Sequence, residues 1–220
     1  MKLLVLLFVA LTSIQTAGAV ECTYSDAARQ SWKELFQRQL RVLDKDHAEQ
    51  MSRIAKDIID GSSDSLKIDL AGVNPNTPFK LHGREMSMLD LAASACQAVI
   101  VEQLVAGGAN VDGSEMSTPL VSAAAHGQDK IVEFLLSRGA KIDKIDANGH
   151  TALEEAVRQR SMPSANVLIS HGDDVNRRIG GGSARILDLV SAGTDPESKT
   201  IADELRRHAA TPGIPAAITR

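Results

Sequence analysis

The sequence is poor in aromatic side chains and has no excess of basic ones, and both features restrict what the protein can bind. Phe, Trp and Tyr make up only 3% of the 220 residues, which leaves few rings on which the bases of a single strand can stack. Lys and Arg number 24 against 28 Asp and Glu, so the formal net charge is −4. Because nucleic-acid binding needs a basic face to neutralise phosphates, the composition argues against a nucleic-acid partner.

Patterns that mark catalysis or metal binding are missing from the sequence. The six histidines do not form a metal-spaced pair on one helix. The run Gly180-Gly181-Gly182 is not followed by the Gly-Lys-Ser/Thr ending of a phosphate-binding loop, and no Gly-x-Ser-x-Gly nucleophile elbow occurs. We therefore expect no cofactor, no metal site and no enzymatic activity. An enzyme with an unrecognised active site is the weakest of the alternatives.

The N-terminus has the pattern of a secretory signal peptide. Lys2 precedes an apolar run at residues 3–11, and small residues at 17–19 suit signal cleavage. The run is shorter than the roughly 20 apolar residues that cross a bilayer, and no second run of that length follows. We expect cleavage after Ala19, a mature chain that starts at Val20, and a periplasmic location. The lack of an Asn-x-Ser/Thr acceptor also favours a bacterial periplasm over a eukaryotic secretory route.

Two landmarks recur along the chain with the same spacing, which indicates an internal repeat. The first landmark is a Ser/Thr followed by an Ala-rich apolar run, and its copies start 31 and 33 residues apart, at Ser87, Thr118 and Thr151. The second is a glycine followed by a short segment ending in Asp or Asn, and its copies begin at Gly108, Gly139 and Gly172. Each unit therefore spans about 32 residues.

The middle copy shows the physical role of each landmark. Thr118 can cap a helix, and Pro119 suits the first helical position, where its missing N–H has no cost. Gly127 opens a turn to a second helix, and Gly139 ends that helix in a left-handed conformation. The pair Asn148-Gly149 is typical of a tight turn. The unit is thus predicted to be helix, turn, helix and extended tip.

This pattern resembles the ankyrin repeat, whose period is near 33 residues. The match is strongest over residues 118–146. The following copy keeps Ala152 where the family prefers proline, and the preceding copy has Cys96 in place of the inter-helix glycine. The resemblance implies an all-α fold, an ankyrin-repeat solenoid of helix-turn-helix repeats with short β-hairpin tips and helical caps.

The resemblance also divides the chain into four parts. They are a signal peptide at 1–19, an N-terminal capping helix at 20–47, an ankyrin-repeat domain at 48–210 and a flexible tail at 211–220. The domain should hold about four to five repeats, of which the end repeats are degenerate because they face water on one side. Trp32 and Phe36 in the capping helix are interpreted either as a lid on the first repeat or as a partner-binding stripe.

In ankyrin proteins the concave surface, built from the tips and the first helix of each repeat, usually binds other proteins, and the resemblance implies the same here. The matching non-consensus positions on the tips are Arg84, Met86, Ser114, Glu115, Ser117, Asn148 and His150. At the outer ends of the first helices they are Ser94, Ala125 and Arg158. These positions have no expected packing role and can carry specificity.

The expected partner is therefore another protein, and we expect a monomer in the free state. Two roles remain open. The chain is either an immunity protein that neutralises a secreted toxin, or a periplasmic scaffold or stress-protection partner of a resident enzyme. The sequence does not separate them, because both need a small, rigid, exported binder.

The two cysteines, Cys22 and Cys96, can form one disulfide in an oxidising compartment. Cys96 takes the place of the inter-helix glycine and is expected in a loop. Cys22 lies just before the helix that should cover the same end of the array. Bridging requires Cα atoms within about 7 Å, so two separate thiols remain the alternative.

Overall fold

The computed structural model describes residues 45–81, 84–115, 118–177, 179, 185–191 and 196–210. The predicted signal peptide, Cys22, Ser117, the tail and most of the predicted capping helix lie outside these residues. The first described helix begins at Lys45, so the predicted boundary between residues 47 and 48 falls inside it.

The described residues form helix pairs, with one β-hairpin before the second pair. The elements are α1 Lys45–Asp60, α2 Ser63–Asp69, β1 Phe79–Leu81, β2 Arg84–Met86, α3 Met88–Ser94, α4 Ala98–Ala106, α5 Pro119–Ala125, α6 Asp129–Ser137, α7 Ala152–Arg158, α8 Met162–Ser170, α9 Ile186–Ser191 and α10 Pro196–Ala210. We call these helix pairs repeats one to five, and we call the first helix of each pair the inner helix and the second the outer helix.

The repeats stack through their helices. The inner helices α3, α5, α7 and α9 pack each on the next, and the outer helices α4, α6 and α8 form a second layer. In repeats two to four the inner helix has seven residues and the outer helix nine. The predicted all-α ankyrin solenoid is confirmed.

Matched positions of successive repeats supply the core. Leucines at the second position of the inner helix and at the seventh position of the outer helix are buried, namely Leu89, Leu120, Leu153, Leu104, Leu135 and Leu168. Burial of each such side chain contributes about 1.5–3 kcal/mol. Between them lie the fully buried Ala92, Ala123 and Ala156, whose small size lets the inner helices approach closely. The core is therefore continuous along the stack.

The turn between inner and outer helix is left-handed in repeats one to four. Its φ angle is +73° at Gly61, +61° at Cys96, +69° at Gly127 and +60° at Arg160. This confirms that Cys96 takes the place of the inter-helix glycine. The sequence analysis did not recognise that Arg160 stands at the same position in repeat four.

The N-termini of the inner helices are capped in two different ways. The Ser87 hydroxyl accepts a hydrogen bond from the Asp90 N–H at 3.0 Å. Thr151 and Glu154 form a reciprocal capping box. The prediction that Thr118 caps α5 is wrong for its side chain, because its hydroxyl instead donates to the Ile145 carbonyl oxygen at 3.3 Å. Thr118 thus connects its helix to the tip that leads to the next repeat.

Hydrogen bonds between successive loops fix the spacing of the tips. The Asn110 N–H donates to Oδ1 of Asn76 at 2.7 Å. In the next step, Nζ of Lys144 donates to the carbonyl oxygens of Asp112 and Ser114 at 2.6 and 2.8 Å. These bonds join loops about one repeat apart. The conformation of each tip therefore depends on the neighbouring repeat as well as on its own sequence.

The tips differ in structure. The tip of repeat two is an antiparallel hairpin in which Phe79 pairs with Met86 and Leu81 with Arg84. In the tip of repeat four, residues 143–150 form no strand, and the chain reverses in a turn at Asn148-Gly149. The predicted tight turn at this dipeptide is confirmed by the positive φ of +82° at Gly149.

Candidate partner-binding surface

The tip of repeat four is organised around the carboxylate of Asp146. Its Oδ1 accepts hydrogen bonds from the backbone N–H groups of Asn148 and His150, both at 2.9 Å, and its Oδ2 accepts from the side-chain amide of Asn148 at 2.9 Å. The backbone closes the turn with a 2.9 Å bond from the Asp146 N–H to the His150 carbonyl. Asn148 is exposed, and its amide bond to Asp146 holds its side chain in place. The sequence signal for Asp146 is the Asp-x-Asn-Gly pattern of an Asx turn.

His150 and Arg158, which were predicted separately, meet on the carboxylate of Glu155. Oε2 of Glu155 lies 3.4 Å from Nδ1 of His150 and 3.6 Å from Nε of Arg158. Oε1 accepts a hydrogen bond from the Gln159 side chain at 2.7 Å. Glu155 is only 7% exposed, so these three partners offset the cost of removing its charge from water. We call His150, Glu155, Arg158 and Gln159 the Glu155 cluster.

The geometry of this cluster assigns the histidine tautomer. Nη2 of Arg158 lies 3.3 Å from Nε2 of His150. Because a guanidinium group only donates, Nε2 accepts, and the ring proton sits on Nδ1, which faces Glu155. The network therefore fixes the orientation of the His150 ring and the direction of the Arg158 side chain. The sequence analysis missed Glu155, although its spacing of three residues from Arg158 on a helix indicated an ion pair.

The other predicted tip residues play smaller parts in this surface. Glu115 is exposed, and Ser114 is half-buried with its carbonyl bonded to Lys144. Met86 is half-buried and packs against the core, and Arg84 is the first residue of β2. Ser117 lies in a part of the chain that the structure leaves undescribed. Among the described tip residues, Glu115 is thus accessible to a partner, whereas Met86 contributes to the core.

The outer ends of the inner helices are less uniform than predicted. Arg158 is exposed and Ala125 is half-buried, but Ser94 is buried with 7% exposure. The interpretation of Ser94 as an accessible position is wrong, because the packing of the stack covers its side chain.

A buried polar contact also links the inner helices of repeats two and three. The hydroxyl of Ser122 donates to Oδ1 of Asp90 at 2.5 Å, and Asp90 is 5% exposed. The sequence analysis did not single out either residue. Their contact satisfies the buried Asp90 carboxylate and fixes the two helices relative to each other.

Cys96 lies in the left-handed turn between α3 and α4 and is half-buried. Its Sγ accepts a hydrogen bond from the side-chain amide of Gln128, one repeat further on, at 2.8 Å. Because Cys22 lies outside the described residues, the Cys22–Cys96 disulfide stays a prediction.

Within the described residues there is no group of three or more His, Cys, Asp or Glu side chains placed to share a metal ion. Among the described helices, none combines the length and hydropathy needed to cross a membrane.

Comparison of the sequence with known proteins finds a match to one family model. The family model described as "Ankyrin repeats (3 copies)" matches residues 58–146 and 89–179, together more than half of the chain. Glycerophosphocholine phosphodiesterase gde1 of Schizosaccharomyces pombe is 35% identical over 102 residues, which are 45% of this chain and 9% of that protein.

Two vertebrate relatives show the same relation. The nuclear factor NF-kappa-B p105 subunit of Gallus gallus is 37% identical over 93 residues, which are 40% of this chain and 10% of that protein. The B-cell lymphoma 3 protein homolog of Mus musculus is 28% identical over 132 residues, which are 57% of this chain and 30% of that protein. The chain thus spans less than a third of the length of each relative, and the similarity concerns their repeats.

Proposed function

We propose, since the chain belongs to the ankyrin-repeat family, that it acts by binding another protein on its concave surface. The observation that carries this proposal is the pair of polar networks in repeat four, around Asp146 and Glu155. They hold Asn148, His150 and Arg158 in fixed directions at the surface, where these side chains add little to the core. Side chains that are already ordered lose less conformational entropy when a partner binds.

The proposal extends to the biological role. The signal-peptide pattern supports export to the periplasm, and the net charge of −4 supports a soluble, acidic binder. Among the roles that such a binder can have, we propose neutralisation of a secreted toxin as an immunity protein. The alternative is a scaffold or stress-protection partner of a resident periplasmic enzyme. In both roles the chain contributes binding and no catalytic step.

The test is a pull-down from periplasmic extract with the full exported chain as bait, followed by identification of the bound protein by mass spectrometry. The double variant Asn148→Ala/His150→Ala should reduce recovery and affinity by about tenfold or more, as expected for residues at the centre of an interface. The matched control is Glu102→Ala/Lys130→Ala, which changes two exposed residues of the outer helices α4 and α6 and should leave affinity unchanged. Equal affinity for both double variants would exclude this part of the concave surface.

The identity of the partner then separates the two roles. A toxin-like hydrolase whose activity falls when the chain binds supports the immunity role, whereas a housekeeping enzyme that is protected from inactivation supports the scaffold role. N-terminal sequencing of the recovered bait checks export, because a first residue of Val20 supports signal cleavage and a retained Met1 contradicts it.

A further inference from the structure

The loop that follows α8 contains a carboxylate where the preceding repeats have none. Asp173 occupies the position that alanine holds in repeats two and three, at Ala109 and Ala140. Its residue exposure is only 6%, so the larger polar side chain has been placed in a site that elsewhere receives a methyl group. We call residues 173–177 the Asp173 loop.

The Asp173 carboxylate is incompletely satisfied. Its Oδ1 accepts a hydrogen bond from the Asp174 N–H at 2.8 Å, whereas Oδ2 is buried and has no hydrogen-bond partner among the described residues. Burial of a charged oxygen without a hydrogen-bond partner costs free energy, and protonation of the carboxyl group removes that charge. The site therefore suits a neutral side chain better than an anion.

The charged groups that act on Asp173 do not reverse this preference. Asp174 of the same loop and Asp143 of the preceding loop repel the anion, and Arg177 attracts it. The guanidinium of Arg177 is also directed to the Asp143 carbonyl oxygen, at 3.4 Å. Burial is the strongest influence, and it raises the pKa of Asp173 from 3.8 to about 6.

We infer that the Asp173 loop is a proton-dependent joint between the fourth helix pair and the C-terminal pair α9–α10, closed when Asp173 is protonated and opening more often when it is ionised. Val175 of the same loop belongs to the core, so opening of the loop withdraws a packed side chain as well as the carboxylate. The joint uses none of Asn148, His150 and Arg158 and does not depend on the proposed function.

The direction of the pH dependence follows from proton binding. The closed state holds the proton more tightly than the open state, so closure is favoured at low pH and this advantage is lost as the pH rises through about 6. Between pH 5.0 and pH 7.5 the equilibrium constant for opening should rise about tenfold for the pKa values of 3.8 and about 6.

Amide hydrogen exchange on the full chain measures this constant directly. The useful probes are the N–H groups of Asp173 and Arg177, which donate to the carbonyls of Leu168 and Asp174 at 3.1 and 3.0 Å. After correction for intrinsic exchange rates, the native chain should open about tenfold more often at pH 7.5 than at pH 5.0. The variants Asp173→Asn and Asp173→Ala should show a ratio near one, the second because it restores the residue of repeats two and three.

The control is Asp174→Asn, which removes an exposed charge from the same loop and should keep most of the native pH dependence. The inference fails if either Asp173 variant retains the native ratio, or if the native chain shows no change between the two pH values. If Asp174→Asn were the only variant to lose the pH dependence, Asp174 and not Asp173 would be its source, and the inference would also fail.

Discussion

The left-handed turns between inner and outer helices predict that one residue of repeat four is strained. Arg160 has φ +60°, and the same position is held by glycine in repeats one and three. A residue with a Cβ atom pays about 1–2 kcal/mol in this conformation. Glycine avoids that strain but loses about 0.5–1 kcal/mol more backbone entropy on folding. The substitution Arg160→Gly should therefore stabilise the fold by about 0.5–1 kcal/mol.

A second substitution separates the backbone effect from loss of the side chain. Arg160→Ala removes the same side-chain interactions as Arg160→Gly but keeps a Cβ atom, so it should be less stable than the glycine variant by about 0.5–1 kcal/mol. The reciprocal change, Gly127→Ala, introduces the strain at φ +69° and places a Cβ 3.1 Å from the Ser161 hydroxyl, so it should cost about 1–2 kcal/mol.

Urea denaturation followed by circular dichroism gives the three free energies of unfolding under one set of conditions. Equal stability of Arg160→Gly and Arg160→Ala would refute the argument, because it would show that the left-handed conformation carries no strain here. A neutral Gly127→Ala would do the same for repeat three.

Two further predictions concern the cysteines and the Glu155 cluster. If Cys22 and Cys96 are bridged, thiol titration of the denatured, unreduced monomer should find no free thiol. Reduction should then lower the free energy of unfolding by about 4 kcal/mol, because the bridge closes a loop of 74 residues. Two free thiols per chain would contradict the bridge. Glu155→Ala should destabilise the fold by about 1–2 kcal/mol, because three donors lose their acceptor, whereas Glu115→Ala at an exposed position should change stability by less than about 0.5 kcal/mol. Urea denaturation checks this pair, and equal losses would mean that the cluster contributes nothing.

The sequence predicted the features that depend on local chemistry. Gly139 has a φ of +87°, as expected for a residue that ends a helix in a left-handed conformation. Pro119 begins α5, and the buried leucines recur with the repeat. Each of these features follows from the preference of one residue or from the spacing of apolar residues along one helix.

What the sequence did not predict depends on the neighbouring repeat. The Thr118 hydroxyl was expected to cap its own helix but bonds a carbonyl 27 residues away. The contact between Asp90 and Ser122 spans 32 residues. Such contacts are set by the stagger between stacked repeats, which the pattern within one repeat does not contain.

The same reasoning favours repeat four as the centre of the proposed binding surface. Ser94, Ala125 and Arg158 share one position in three repeats, yet only Arg158 is exposed, since Ala125 is half-buried and Ser94 is buried. Repeat register therefore identifies equivalent positions, while the packing around each one decides whether a partner can contact it. Among the described residues, repeat four combines an exposed side chain at this position with two networks that hold it and its neighbours, around Asp146 and Glu155. For this reason the proposed binding test changes Asn148 and His150, which lie in repeat four.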